Sequence, residues 1–177
     1  QLGLNDLVWR SSPTQLPGTW STSGISSESV ASFGVKKTDG TLWVWGDGAT
    51  GSLGLNQGGA PVRFSSPVQL PGTTWSAKRA GGRSTMGFLA IKTDGTLWSW
   101  GYPNAGQLGQ NNNTNYSSPV QIPGTTWASV AAGDRNMAAI KTNGTLWCWG
   151  QNAQGELGVN DRTQRSSPVQ VPGTTWK

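Results

Sequence analysis

Histidine is absent from this chain of 177 residues, and cysteine occurs once, as Cys148. One cysteine cannot form a disulfide within the chain, and the usual His and Cys ligand sets of zinc cannot be assembled. The most frequent general base of enzymes is missing as well. We therefore expect no metal, no cofactor and no enzymatic activity.

Charged side chains are also scarce, at 12% of the residues, with 13 Lys and Arg against 8 Asp and Glu. The net charge of +5 reflects the shortage of acids, because the basic residues are scattered along the chain and form no cluster. A nucleic acid is therefore not the expected partner. No apolar run reaches the roughly 18 residues of a membrane helix, so no membrane insertion is predicted.

Glycine, proline and tryptophan are abundant instead, with 26, 10 and 11 residues. Turn formers combined with aromatic residues favour short β-strands over helices, and thus an all-β fold. Two motifs recur: GTLW begins at Gly40, Gly95 and Gly144, and SSP begins at Ser11, Ser65, Ser117 and Ser166. A period of about 50 residues is typical of propellers and other repeat architectures.

The motifs divide the chain into three complete repeats and part of a fourth. We place blade 1 at residues 20–74, blade 2 at 75–126 and blade 3 at 127–177. Residues 1–19 are then the tail of a preceding repeat, and residues 11–18 are expected to supply one extra outer strand. The four strands expected in each blade are named a, b, c and d in chain order.

Each blade contains the same hairpin signal between strands b and c. Its turn residues are Asp39, Asp94 and Asn143, each followed by Gly. Such dipeptides are typical of two-residue type I′ turns, in which both residues have positive φ. Since Asp and Asn interchange here, we interpret them as turn formers and not as catalytic acids.

Strand c has two apolar faces. Trp43 and Trp45 lie on one face of the sheet, while Leu42 and Val44 lie on the other. A sheet with one solvated face would alternate with polar residues, so the pattern predicts sheets covered on both sides, as in β-propeller blades. Cys148 occupies the position of Val44 and is interpreted as a small packing residue.

The order of motifs in the third repeat resembles the repeat of the regulator of chromosome condensation family: Trp127, then VAAG, MAAIK, NGTLWCWG, GELG and SSPV. The resemblance extends over essentially the whole chain. It implies a β-propeller with four-stranded blades, closed by pairing of strands from the two chain ends. Proteins with this repeat include guanine-nucleotide exchange factors for a small GTPase, bacterial inhibitors of β-lactamase and uncharacterised phage proteins, and they bind proteins on a propeller face.

Three repeats are too few for a closed ring, since propellers close with about four to eight blades. The sequence therefore predicts an incomplete ring in one chain, with apolar end faces that need cover. Other copies of the chain, or the rest of a longer chain, are the two alternatives for that cover.

Loops that differ between the repeats form the candidate binding surface, because the regular parts of a propeller serve its architecture. They carry aromatic residues and arginines, which are frequent at protein interfaces. Ordinary solvated side chains are the alternative interpretation. The candidates are Trp9, Arg10, Arg63, Phe64, Tyr116, Arg162 and Arg165 between the LG and SSP motifs, Arg79, Arg83 and Arg135 before strand b, and Tyr102 after strand c.

Two hypotheses for function follow. The first is a non-enzymatic β-propeller scaffold for binding or assembly through variable loops, in an extracellular or phage structural protein. The second is a regulatory protein that docks on a GTPase as an exchange factor, or on an enzyme as an inhibitor. Catalysis has little support, because no pair of acids recurs with a catalytic spacing and no phosphate-binding motif is present.

Overall fold

A computed structural model describes residues 2–27, 32–57, 62–81 and 87–177, with the side chains of residues 24–27, 79 and 81 left out. The described chain forms three four-stranded antiparallel sheets, one for each repeat, and one short 3-10 helix, Ala49–Gly51. The predicted all-β fold is therefore confirmed. No helix in these ranges is long and apolar enough to cross a membrane.

The strands of each sheet are hydrogen-bonded in chain order, so every blade is a simple meander of strands a, b, c and d. Blade 1 contains β1 (Trp20–Ser27), β2 (Ser32–Lys37), β3 (Leu42–Asp47) and β4 (Arg63–Leu70). Blade 2 contains β5 (Trp75–Gly81), β6 (Gly87–Lys92), β7 (Leu97–Gly101) and β8 (Tyr116–Ile122). Blade 3 contains β9 (Trp127–Ala132), β10 (Asn136–Lys141), β11 (Leu146–Gly150) and β12 (Arg165–Gln170).

The turn between strands b and c differs from the predicted type I′ turn. Its glycine has positive φ in all three blades, at 85°, 78° and 77°, but the preceding Asp or Asn is not among the residues with positive φ. In blade 1 the N–H of Gly40 donates to the carbonyl of Lys37, and the N–H of Lys37 donates to the carbonyl of Thr41. This pattern fits a type I turn followed by a glycine bulge, so the type I′ prediction was wrong.

The side chain of the Asp or Asn accounts for the difference. Oδ1 of Asp39 accepts hydrogen bonds from the N–H of Thr41 at 2.9 Å and from its hydroxyl at 2.6 Å. The Thr41 hydroxyl oxygen accepts a third bond from Nε1 of Trp43 at 2.8 Å. Asp94 and Asn143 start the same chain of bonds. These residues thus hold the turn and the first strand-c tryptophan, as turn formers do.

Neighbouring blades pack sheet against sheet. We call the side of a sheet with the strand-c tryptophans its Trp face and the opposite side its Leu face. Trp75 and Trp100 on the Trp face of blade 2 pack against Leu42 and Leu70 on the Leu face of blade 1. Blades 2 and 3 repeat this packing with Leu89, Ile91, Leu97, Ile122, Trp127, Met137, Ala139 and Trp149. The prediction of two buried faces is confirmed at both interfaces.

Close backbone contacts fix the spacing between blades. A Cβ atom added to Gly51 would lie 2.7 Å from the Cα of Ser117 in the next blade, so only glycine fits there without a shift. Nε1 of Trp100 donates to the carbonyl of Ser52 across the same interface at 3.0 Å. The equivalent contacts between blades 2 and 3 join Gly106 to Ser166 and Trp149 to Gln107. Recurring glycines and serines are therefore part of the blade interface.

The three sheets do not close a ring. Residues 2–19 lie beside the Trp face of blade 1, where a Cβ on Gly3 would lie 3.2 Å from both Leu16 and the Trp45 ring. The expected extra strand over residues 11–18 is not formed in this chain. A β-strand exists only as part of a ladder, and none of the three described sheets includes this stretch.

Candidate functional site

The loops between strands c and d share one framework, which the tail repeats before its own SSP motif. Two residues after its LG motif, each has an asparagine in the left-handed region, with φ between 57° and 60°: Asn5, Asn56, Asn111 and Asn160. In the first three, the N–H of this asparagine donates to the first serine carbonyl of the SSP motif in the next blade, at 2.7 to 2.8 Å. These loops are therefore held at equivalent positions along one edge of the propeller.

The residue after the asparagine closes the loop. Oδ1 of Asp6 accepts a bond from the N–H of Val8 at 3.2 Å, and Oδ2 pairs with the guanidinium of Arg10 at 2.7 Å. The Arg10 hydrogen bond is the main reason that the pKa of Asp6 lies below its ordinary value, with the Val8 N–H second. Asp161 makes the same pair of contacts in blade 3, the second one with Arg165 at 2.5 Å.

Blade 2 closes the equivalent loop without charges. Oδ1 of Asn112 accepts a bond from the N–H of Thr114 at 2.8 Å, and Nδ2 donates to the hydroxyl of Tyr116 at 3.0 Å. Three of the candidate contact residues, Arg10, Tyr116 and Arg165, thus each close their own loop. Their interface-favoured side chains hold the backbone of the loop, which leaves the residues between them to form the exposed tip.

The tips differ in chemistry although their frameworks agree. In the tail the tip consists of Leu7, Val8 and Trp9, which are 87%, 58% and 98% exposed. We call these three residues the apolar tip. Residues 113–115 in blade 2 and 162–164 in blade 3 are also exposed, but they are polar or charged. Sequence reasoning selected Trp9 and Arg162 and missed Leu7 and Val8, although comparing NDLVWR with NDRTQR reveals all three apolar residues.

The corresponding loop of blade 1 is three residues longer, and its residues 58–61 lie outside the described ranges. Arg63 is exposed and lies 3.3 Å from the carboxylate of Asp47. Phe64 is half-buried, opposite Gly46 in the sheet. Of these two candidates at the start of β4, Arg63 is therefore the more open to a partner.

The remaining candidates are spread over other loops. Arg135 is exposed, with its guanidinium 3.9 Å from Asp134, and Tyr102 is 40% exposed. Arg79 belongs to β5, but its side chain lies outside the description, as does the whole of Arg83. A shared binding role for the three arginines before strand b thus stays a prediction.

The described residues offer little material for a metal or for nucleophilic chemistry. No three of their His, Cys, Asp or Glu side chains are grouped as metal ligands are. Cys148 is 8% exposed, and burial raises the pKa of its thiol. A raised pKa keeps the thiol protonated and therefore unreactive, as expected of a packing residue.

The sequence of the repeats also matches that of a known repeat family. The sequence pattern of the regulator of chromosome condensation (RCC1) repeat matches residues 94–140 and 143–175, and a second pattern of the same repeat matches residues 127–156. Residues 94–175 therefore match the RCC1 repeat. The matched segments extend from the hairpin of blade 2 to the end of blade 3, and they confirm the resemblance seen in the motif order.

Solved structures with the same fold include human WBSCR16, at 21% identity and a TM-score of 0.70 over 85% of this chain. Prp20p from Saccharomyces cerevisiae, whose binding to Gsp1p and histones has been studied, has 20% identity and a TM-score of 0.72 over 85% of this chain. Yeast RCC1 (Prp20) bound to Kap60 has 21% identity and a TM-score of 0.69 over 81%. The chain spans only 36 to 38% of the length of these proteins. The likeness establishes the RCC1 propeller fold.

Proposed function

We propose that the chain is a non-enzymatic RCC1-repeat module that binds other proteins through the tips of its c–d loops. The observation that carries this proposal is the apolar tip, in which Leu7 and Trp9 are almost fully exposed on a loop closed by Asp6 and Arg10. An aromatic side chain on a fixed loop is a typical interface anchor, because it buries a large area on binding and loses little conformational entropy.

The contrast between frameworks and tips supports binding. Left-handed asparagines and closing side chains recur from loop to loop, whereas the tip residues change from apolar to amide-rich to charged. A purely architectural loop has no need of such variation, and exposed loops on a fixed scaffold are where binding residues are concentrated.

The test uses the immobilised chain and a lysate or secreted fraction of its source. Trp9→Ala removes the centre of the apolar tip, while Gln164→Ala makes the same change at the equivalent position of blade 3. We expect the affinity for a specifically retained protein to fall about 30-fold in Trp9→Ala, as at an interface hot spot. In Gln164→Ala the affinity should stay unchanged. Equal retention by both variants would contradict the proposal.

Assembly is the second part of the proposal. Ala138, Leu146 and Val171 form an apolar Leu face on blade 3 that no other described blade covers. We propose that further blades, from other copies of this chain or from the rest of a longer chain, pack on this face. Sedimentation at increasing concentration distinguishes the two, because self-association depends on concentration. A monodisperse monomer with a cooperative melt would exclude cover by other copies.

The absence of catalysis and the setting of the protein are proposals as well. The described turn acids and several loop acids are engaged in turn bonds and ion pairs, which supports a binding role. A low content of charge and variable loops fit an extracellular or phage structural protein. Docking on a GTPase or on an enzyme would use the same loops. The protein that the wild-type chain retains and Trp9→Ala loses distinguishes these possibilities. Its identity shows whether the partner is a structural protein, a GTPase or another enzyme.

A further inference from the structure

A groove of about 320 Å³ lies between blades 2 and 3, and it involves none of the loop tips. Gln110 and Pro123 of blade 2 form one side, and Trp127, Lys141 and Trp147 on the Trp face of blade 3 form the other. We call it the Trp147 groove. Its volume is at the lower end of the range for ligand sites in proteins, about 300–1,000 Å³.

Gln110, which lines the groove, occupies a position that differs between the repeats. At the interface of blades 1 and 2 the equivalent position is Leu55, which packs against the apolar cluster together with Trp98. Gln110 instead directs its amide into its own blade, where Nε2 donates to the hydroxyl of Ser99 at 3.0 Å and to the carbonyl of Val120 at 3.2 Å. No apolar side chain from this position therefore packs against Trp147.

Two hydrogen-bond donors lie close together beside the groove, one of them buried. Nε1 of Trp127 is the one buried side-chain nitrogen or oxygen without a partner in the part of the chain that the structure describes, and Trp127 is 3% exposed. Its equivalents Trp20 and Trp75 donate to backbone carbonyls at 3.1 and 3.2 Å. A Cβ on Gly124 would lie 3.7 Å from this Nε1 and 3.6 Å from Nζ of Lys141, so both nitrogens lie near the same glycine.

The ammonium group of Lys141 lies evenly between two indole rings. Its Nζ is 4.6 Å from the ring centre of Trp127 and 4.5 Å from that of Trp147. Lys37 and Lys92 instead lie close to one ring, at 3.8 and 4.0 Å, and further from the other, at 5.3 and 5.0 Å. This blade therefore places a cation beside an aromatic surface, with the unpaired N–H of Trp127 buried nearby.

We propose that the Trp147 groove binds an extended peptide that carries a carboxylate next to an apolar residue. The carboxylate accepts a hydrogen bond from Nζ of Lys141, whose charge it neutralises next to the two indole rings. The apolar residue packs on Trp147 and on the prolines of the rim, Pro123 and Pro168. The net charge of +5 favours the approach of an acidic segment.

The experiment titrates the chain with the peptide acetyl-Pro-Leu-Glu-amide and follows the indole N–H signals by NMR. We expect the signals of Trp127 and Trp147 to shift and those of Trp75 and Trp98 to stay in place. The Gln analogue of the peptide should bind at least about tenfold more weakly, because it lacks the charge that pairs with Lys141. Equal affinity for the two peptides would overturn the proposal.

Two variants test the site within the protein. Gln110→Leu places at the groove the residue that blade 1 carries at Leu55, and it should abolish binding while the spectrum stays folded. Lys141→Gln should weaken binding about tenfold, and the matched Lys92→Gln at the interface of blades 1 and 2 should not. Unchanged binding by Gln110→Leu, or equal loss in both lysine variants, would overturn the proposal.

Other ligand classes are tested in the same assay. Acetate alone supplies the carboxylate without the apolar residue, and cellotetraose supplies a sugar surface for stacking on tryptophan. We expect neither to shift the Trp127 and Trp147 signals at concentrations that saturate with peptide. Equal affinity for acetate would indicate a simple anion site, and saturation by the sugar without peptide binding would indicate a carbohydrate site. Either result contradicts the peptide assignment.

Discussion

Blades 2 and 3 present the same kind of Leu face to very different surroundings. Leu97 of blade 2 is fully buried under Trp127 and Trp149 of blade 3. Leu146 occupies the same position of strand c in blade 3, yet it is only half-buried, because no described blade lies over it. Each repeat therefore builds only half of an interface, and the next repeat supplies the tryptophans that complete it.

The c–d loops show the same contrast at the level of the backbone. A Cβ on Gly106 would lie 2.7 Å from the Cα of Ser166 in the next blade, whereas a Cβ on Gly155 would meet nothing within 4 Å. Both glycines have positive φ, at 71° and 85°. Gly106 is thus required by both the turn conformation and the neighbouring blade, whereas Gly155 is required only by the turn conformation.

The largest expected effect comes from truncating the covered Leu face. Leu97→Ala should lower the free energy of unfolding by about 4 kcal/mol, because the side chain is fully buried and its loss leaves a cavity under two tryptophans. Leu146→Ala should lower it by about 1 kcal/mol, since less apolar area is lost from a half-buried side chain. Urea unfolding followed by tryptophan fluorescence measures both. Equal losses would contradict the difference in burial between Leu97 and Leu146. A loss for Leu146→Ala that grows with protein concentration would indicate that a second copy covers this face.

The two loop glycines should give a smaller difference. Alanine with positive φ costs about 1–2 kcal/mol at either position. Gly106→Ala adds the clash with Ser166, and overpacking of this kind costs about a further 1–3 kcal/mol. Thermal unfolding of the two variants separates these contributions. If Gly155→Ala destabilises the protein as much as Gly106→Ala, the positive φ of the turn explains the glycine at both positions, and the contact with Ser166 adds nothing.

The smallest effect concerns the hairpin turns of blades 1 and 2 against that of blade 3. Hydrogen bonds from Thr41 and Thr96, first from the hydroxyl and then from the N–H, hold the pKa of Asp39 and Asp94 below the ordinary value of 3.8. A lowered pKa in the folded state stabilises the protein above the unfolded pKa, and this contribution is lost as the pH falls through the folded pKa.

Asn143 makes the equivalent bonds without a titrating group. The double variant Asp39→Asn and Asp94→Asn should therefore lose less stability than the wild type when the pH falls from about 6 to about 3. Urea midpoints across that range measure the loss. Asn143→Asp is the control that should add acid sensitivity, and identical profiles for all three proteins would show that the turn acids contribute nothing.

Much of the fold could be predicted from the sequence, because the recurring motifs show the length of each repeat and the position of its strands. The strand pattern around Trp43 and Trp45 predicted sheets with two buried faces, and the structure confirms this. The turn type was mispredicted, because the dipeptide preference of type I′ turns does not take account of the Asp39 side chain, which bonds to Thr41. Residues 11–18 have strand composition, but composition cannot supply a partner strand.

The candidate site was predictable only in outline. Variable loops were recognised from the sequence, and Trp9 was among the selected residues. The sequence did not separate residues that close a loop, such as Arg10 and Tyr116, from residues that form its tip, such as Leu7. The Trp147 groove was missed altogether, because a groove between blades depends on which side chains meet across the interface.

By itself, the sequence determined the repeating unit: the hairpin, the two-faced strand c, and the recurring GTLW and SSP motifs. These features are local or periodic, so spacing and residue type are sufficient to specify them. Only the tertiary structure decided which copies of the repeated residues are buried, which loop residues are exposed, and that Nζ of Lys141 lies close to the buried Nε1 of Trp127. Burial and hydrogen bonding depend on the neighbouring blade, and identical motifs such as GTLW therefore have different surroundings in blades 2 and 3.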